Sequence, residues 1–152
     1  MSWAGWVLCA YIALVTAPLT VIDVRVHRLP NRLVVPGLAL AALCGAWEWG
    51  SSGWTNPRPL LCGALYFAFM LVLGLLGGLG MGDVKLAGVL GVASGFLGWQ
   101  SAVASLMLAF IFGGLVALGL WIAKRRGRIP FGPFMLAGFW ASTTIALFKL
   151  VG

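Results

Sequence analysis

The chain has 152 residues, of which 62% are Ala, Val, Ile, Leu, Met, Phe, Trp, Tyr or Cys and only 9% are Asp, Glu, Lys or Arg. Soluble domains carry about 25% charged residues, so the composition excludes an ordinary soluble domain. Ten basic and three acidic residues give a net charge of +7. The basic residues form short clusters between apolar runs, which is typical of membrane orientation and not of nucleic-acid binding.

Charged and turn residues divide the chain into six predicted membrane-spanning helices, because an unpaired backbone group in lipid costs several kcal/mol. The uncharged stretch between Lys85 and Lys124 is too long for one span, and we divide it at residues 98–101. The sequence therefore predicts an all-α, polytopic membrane protein with one domain over residues 1–152. The predicted spans are residues 3–22, 33–49, 60–79, 84–97, 102–123 and 131–151.

The ends of these spans give further expectations. No basic residue precedes the first apolar run, which predicts a retained span and not a signal peptide. The fourth span is short, and we expect the membrane to be thinned beside it. Six tryptophans lie near the membrane face that we predict to be outside the cytoplasm, where they fit an aromatic belt. They are Trp3, Trp6, Trp47, Trp49, Trp54 and Trp99.

Lys and Arg residues are distributed unequally over the two sides of the membrane. The positive-inside rule places the richer side in the cytoplasm and both termini outside. The cytoplasmic set is Arg25, Arg28, Arg32, Lys85, Lys124, Arg125, Arg126 and Arg128, against Arg58 and Lys149 on the other side. We therefore expect a multi-pass protein of the cytoplasmic membrane in contact with lipid, with the cluster 124–128 as a topological anchor.

Two aspartates and one glutamate are the acids of the chain, and acids near lipid need a specific role. Asp23 ends the first span and Asp83 begins the fourth, so both belong to the cytoplasmic face, whereas Glu48 belongs to the other. Two carboxylates a few Å apart share a proton. One acid can then activate water while the other protonates a carbonyl oxygen, and either aspartate can be the base because the pair titrates as a unit.

Other types of site receive no support from the sequence. Cys9, Cys44 and Cys62 form no Cys-x-x-Cys pair, so neither a disulfide framework nor a metal site is indicated. His27 has no cysteine near it in sequence, and there is no Gly-x-Ser-x-Gly motif. We expect no metal and no organic cofactor.

The segment Gly80-Met81-Gly82-Asp83 has two glycines that allow the backbone to bend and a peptide to lie beside the carboxylate. Together with residues 23–31 and 129–134, residues 80–86 resemble, in chain order, the three signature regions of the bacterial type IV prepilin leader peptidase family. The resemblance implies a polytopic aspartic protease of the bacterial inner membrane, which cuts the basic leader from prepilins and pseudopilins at the cytoplasmic face.

By this resemblance Asp23 and Asp83 match the family's catalytic aspartates, and glycine is expected immediately before the cut. We expect the substrate helix to contact residues of all three regions. They are Pro30, Asn31, Gly80, Gly82, Lys85, Phe131, Gly132 and Pro133. Longer family members carry an N-terminal region with paired Cys-x-x-Cys motifs that is associated with methyltransferase activity. This chain has no such pair, so we do not expect that activity.

Simpler interpretations of the same residues remain open. Asp83 can be the N-cap of the fourth span, Asp23 a counterion for nearby arginines, and Lys85 a snorkelling anchor. Asn31 can cap the second span, and residues 131–134 can simply start the sixth span. Two other functions also remain, a small proton-coupled carrier and an inactive relative that acts as an assembly factor.

Overall fold

A computed structural model of the protein describes residues 2–26, 29–77, 79–124 and 130–151, with side chains as far as residue 149. These residues form six α-helices and no β-strand, which confirms the all-α prediction. Arg28 and residues 125–128, which were assigned to the basic cytoplasmic loops, lie outside the described residues, as do His27 and the start of the third motif. The helices are α1 Trp3–Val26, α2 Asn31–Ser51, α3 Arg58–Leu75, α4 Met81–Leu97, α5 Trp99–Ile122 and α6 Gly132–Val151.

Helices α1, α2, α3 and α5 are long and apolar enough to cross a membrane, by length and composition. The prediction of a multi-pass membrane protein is thus confirmed. Two boundaries differ from prediction in a way that affects the acids. Helix α1 continues past Ile22, so Asp23 lies in its last turn, and α4 begins at Met81, so Asp83 lies in its first turn.

The break between α4 and α5 consists of Gly98 alone. Its φ of 126° and ψ of 168° are rarely adopted by L-residues, so this glycine ends α4 and lets α5 begin at Trp99. The predicted break at residues 98–101 is therefore correct in place but too long.

Helix α4 is the central helix of the bundle and contacts each of the other five. Every residue from Leu86 to Gly95 is buried. Helix α3 approaches so closely that a Cβ on Gly91 would lie 2.8 Å from the Cys62 carbonyl oxygen. The 17 residues of α4 are about 26 Å long. Because other helices surround it, α4 need not match the thickness of the bilayer, and membrane thinning stays a prediction.

The two ends of the bundle differ in composition. The last turn of α1 and the first turns of α4 and α6 meet at one end, which we call the acid end because it carries Asp23 and Asp83. The opposite end is rich in tryptophan. There the ring centroids of Trp3 and Trp47 are 5.5 Å apart, and those of Trp49 and Trp54 are 5.1 Å apart.

Candidate active site

Asp23 is buried at the acid end, with 4% of its surface exposed. Its Oδ2 accepts a hydrogen bond of 3.0 Å from the backbone N–H of Gly132, the first residue of α6. The first N–H groups of a helix have no intrahelical partner, and the positive end of the helix dipole favours a carboxylate. The start of α6 therefore fixes the position of the Asp23 carboxylate.

Asp83 is the third residue of α4, and the N-cap of this helix is Gly80. The interpretation of Asp83 as the N-cap is therefore wrong. Its Oδ2 accepts a hydrogen bond of 3.3 Å from the backbone N–H of Gly80. This bond from the N-cap residue to the N3 side chain stabilises the first turn of α4. Its Oδ1 is buried and has no hydrogen-bond partner among the described residues.

The two carboxylates influence each other electrostatically. The pKa of Asp83, which lies just before the apolar stretch of α4, is raised from 3.8 to about 6. Burial is the largest cause, the negative charge of Asp23 is the second, and the bond from Gly80 opposes them. Asp83 can therefore hold or release a proton near neutral pH, as an acid–base group must.

Leu29 lies between the starts of α4 and α6, in the short connection from α1 to α2. A Cβ added to Gly82 would lie 2.7 Å from Leu29 Cβ, and one added to Gly132 would lie 3.4 Å from Leu29 Cδ2. The space beside Gly82, where the sequence suggested room for a peptide, is thus filled by the protein's own leucine. Sequence reasoning did not single out Leu29, because only the fold shows that it packs against two distant glycines.

Asn31 and Lys85 are brought together although they are far apart in sequence. Lys85 Nζ donates a hydrogen bond of 3.0 Å to Asn31 Oδ1. The N-cap of α2 is Pro30, with φ −71° and ψ 124°, and α2 has no side-chain cap. The interpretation of Asn31 as a cap is therefore wrong, and its side chain instead positions the Lys85 ammonium group.

Phe131 packs the start of α6 against α5. Its ring centroid is 5.2 Å from that of Phe110, and a Cβ on Gly113 would lie 3.0 Å from its Cε2. Pro133 follows in the first turn of α6, a position that suits proline. This packing supports the simpler interpretation of the third motif as the start of α6, and its contact with substrate stays a prediction.

Within the described parts of the chain, no group of three or more His, Cys, Asp or Glu side chains could hold a metal ion. Glu48 lies away from the aspartates, at the tryptophan-rich end, where Asn56 Nδ2 donates to its Oε1 over 3.5 Å. The structure thus brings Asp23 and Asp83 together and keeps the third acid apart.

Comparison with known proteins places the chain in a family. The sequence model of the Type IV leader peptidase family matches residues 6–118, a range that includes both aspartates. The chain belongs to this family. No solved structure matches it.

Curated relatives from two organisms illustrate the similarity. Prepilin leader peptidase/N-methyltransferase from Burkholderia pseudomallei, in strains 1026b and K96243, is 33% identical over an alignment of 150 positions, and the match covers 89% of this chain and 44% of the relative. The protein of the same name from Stutzerimonas stutzeri is 31% identical over 137 residues, covering 82% and 44%. The chain thus spans less than half the length of these relatives.

Proposed function

We propose that the protein is a membrane aspartic endopeptidase that removes the basic leader of type IV prepilin-like proteins. The observation that carries this proposal is the pairing of Asp23 and Asp83, in which Asp83 Oδ1 is buried without a hydrogen-bond partner in the described region. A buried oxygen without a partner is costly. That cost is offset when the oxygen accepts a hydrogen bond from water or, in the protonated carboxyl, donates one to a substrate carbonyl.

Each acid has a definite task in this mechanism. The ionised carboxylate takes a proton from water, whose oxygen attacks the scissile carbonyl carbon, while the protonated carboxyl donates its proton to the carbonyl oxygen. The C–N bond then breaks: the carboxyl that took the proton from water passes it to the leaving nitrogen, and the other carboxylate takes a proton back from one hydroxyl of the tetrahedral intermediate. The pair ends the cycle with one proton, as it began. No metal or organic cofactor is part of this proposal.

The proposed location is the bacterial inner membrane, with the acid end at the cytoplasmic face and both termini outside. Arg25 at the end of α1, Arg32 at the start of α2 and Lys124 after α5 are exposed, as cytoplasmic anchors should be. A prepilin fits this orientation, because its basic leader stays inside the cell while its apolar helix enters the bilayer at the depth of the acids.

The proposed substrate is therefore an apolar helix preceded by a short basic leader, with glycine before the cut. Extended backbone must reach the acids, and glycine unwinds easily there. The apolar helix should supply most of the binding and the glycine most of the selectivity. The proposal covers proteolysis and does not include methyl transfer.

The test is incubation of the purified full chain in detergent with such a peptide, followed by mass spectrometry of the products. We expect a single cut between leader and helix. Matched peptides replace the glycine by valine or lack the apolar helix, and we expect both to be cut poorly, the first with binding retained. Efficient cutting of either control would show that this picture of the site is wrong.

The two alternatives predict different outcomes in the same preparation. A proton-coupled carrier would acidify proteoliposomes in response to a solute and leave the peptide intact. An inactive assembly factor would bind the peptide without cutting it. Absence of cleavage by wild-type protein that binds the peptide would overturn the peptidase proposal.

A further inference from the structure

The side chain of Leu29 lies beside the backbone that supports each acid. Its Cβ would lie 2.7 Å from a Cβ on Gly82, which immediately precedes Asp83, and its Cδ2 would lie 3.4 Å from a Cβ on Gly132, which donates its N–H to Asp23. A Cβ on Gly132 would also lie 2.7 Å from Asp23 Oδ2. The leucine methyl group and the carboxylate oxygen therefore both border the space that a side chain on Gly132 would occupy.

We propose that Leu29 is a positioning residue that sets the separation of the two aspartates by filling the space between Gly82 and Gly132. The inference rests on the proposed function. Neither glycine has a side chain, so the leucine is the group that keeps the first turns of α4 and α6 at a fixed spacing there. Leu29 is half-buried and packs against the hydrophobic core, which holds it in place.

Spacing matters because the two acids must reach one water and share one proton. A displacement of about 1 Å in a catalytic constellation can lower the rate up to about 100-fold. Leu29→Ala keeps the Cβ that lies beside Gly82 but removes Cγ and the Cδ2 that lies beside Gly132. The gap therefore opens mainly next to Gly132, and the start of α6, which has no side chain there, can move into it. The consequence should therefore appear in catalysis more than in substrate binding.

The matched control is Leu38 on α2. It is also half-buried, and its Cδ1 would lie 3.0 Å from a Cβ on Gly88 of the same helix α4. Leu29→Ala and Leu38→Ala each remove a leucine that packs against a glycine of α4, but only the first lies between the supports of the acids. Thermal unfolding of both variants in detergent measures the loss of packing common to the two.

We expect Leu29→Ala to lower kcat by about 10- to 100-fold with KM within about twofold, and Leu38→Ala to lower kcat less than about threefold. Leu29→Met, of similar volume, should restore most of the activity. If Leu29→Ala does not fold, Leu29→Val replaces it, with a smaller loss in the same direction. A loss of kcat in Leu29→Ala no larger than in Leu38→Ala would overturn the inference.

The pH profile of kcat provides a readout that lost packing alone does not change. Among the described residues, Asp23 is the charge that acts on Asp83, while Lys85 is bonded to Asn31. If the spacing of the aspartates changes, the acidic limb of the pH profile of kcat must shift in Leu29→Ala and stay in place in Leu38→Ala. An unshifted acidic limb in Leu29→Ala would overturn the inference. Wild-type protein that cuts nothing would count against the proposed function, whereas normal cutting by Leu29→Ala would count against this inference alone.

Discussion

Both ends of the bundle contain acidic side chains, but the hydrogen bonding of these side chains differs between the two ends. At the tryptophan-rich end, Glu48 Oε1 accepts a hydrogen bond from Asn56, and Arg58 Nε donates to Asn56 Oδ1 over 3.4 Å. At the acid end, Asp83 has one buried oxygen without a partner in the described part of the chain, and its pKa is raised by burial and by Asp23. An acid bonded within a network stabilises a loop, whereas an acid with an open oxygen is available for chemistry.

Substitution of each acid by its amide is the most direct way to break this comparison. We expect Asp23→Asn and Asp83→Asn each to leave less than about a tenth of wild-type turnover, a loss of at least about 1.4 kcal/mol of transition-state stabilisation. The amide keeps the shape of the side chain but cannot cycle a proton. Glu48→Gln is the matched control and should keep at least about half the activity, measured as initial rates at equal protein concentration. If either Asp→Asn variant kept its activity, that aspartate would have a structural and not a catalytic role.

The pH dependence of the free energy of unfolding should also show the unusual environment of Asp83 at the acid end. The folded pKa of Asp83 is about 6, against 3.8 for the free side chain. Between these values the unfolded chain ionises first, so it binds fewer protons and the free energy of unfolding falls as pH rises. The total loss is on the order of 3 kcal/mol, since each unit of difference in pKa corresponds to about 1.4 kcal/mol.

Asp83→Asn removes this penalty. The variant should therefore unfold at a higher temperature than wild type at pH 7.5 and show a smaller difference at pH 4, as measured by thermal unfolding in detergent. A variant that is less stable than wild type at pH 7.5 would show that the Asp83 carboxylate contributes to folding through its bond from Gly80.

The helices were largely predictable because lipid forces each long apolar run to be helical and charges mark its ends. The errors occur where a local feature extends or shortens a helix. Helix α1 continues past Ile22, and Asp23 in its last turn is buried and bonded to the start of α6. The α4–α5 break is a single residue because the positive φ of Gly98 is enough to end one helix and let the next begin.

The composition of the candidate site was predictable only in part. Span parity was enough to place Asp23 and Asp83 at one end, since it depends on counting helices. Pairwise contacts such as Lys85 with Asn31, or Gly132 with Asp23, depend on how helices far apart in sequence pack. Leu29 shows this most clearly, because its position beside Gly82 and Gly132 leaves no periodic pattern in the sequence.

A smaller effect is expected at the tryptophan-rich end. Asn56→Ala removes the side chain that joins Glu48 to Arg58, and we expect a loss of about 1 kcal/mol in the free energy of unfolding. Peptide cleavage measured below the unfolding temperature should not change, because the acid end keeps its contacts. A marked fall in kcat would show that the two ends are coupled through the bundle.

The smallest expected effect concerns the pair formed by Lys85 and Asn31. If Asn31 holds the Lys85 ammonium group in place for a substrate carbonyl, Lys85→Met and Asn31→Ala should each raise KM about twofold, or about 0.4 kcal/mol. The double variant should show the same twofold increase, because the two side chains act as one unit. Arg32→Gln removes a neighbouring exposed charge and should leave KM unchanged, so loss of charge alone is controlled. A fourfold increase in the double variant would mean that the two residues act independently, and an unchanged KM in all three would leave Lys85 as a membrane anchor.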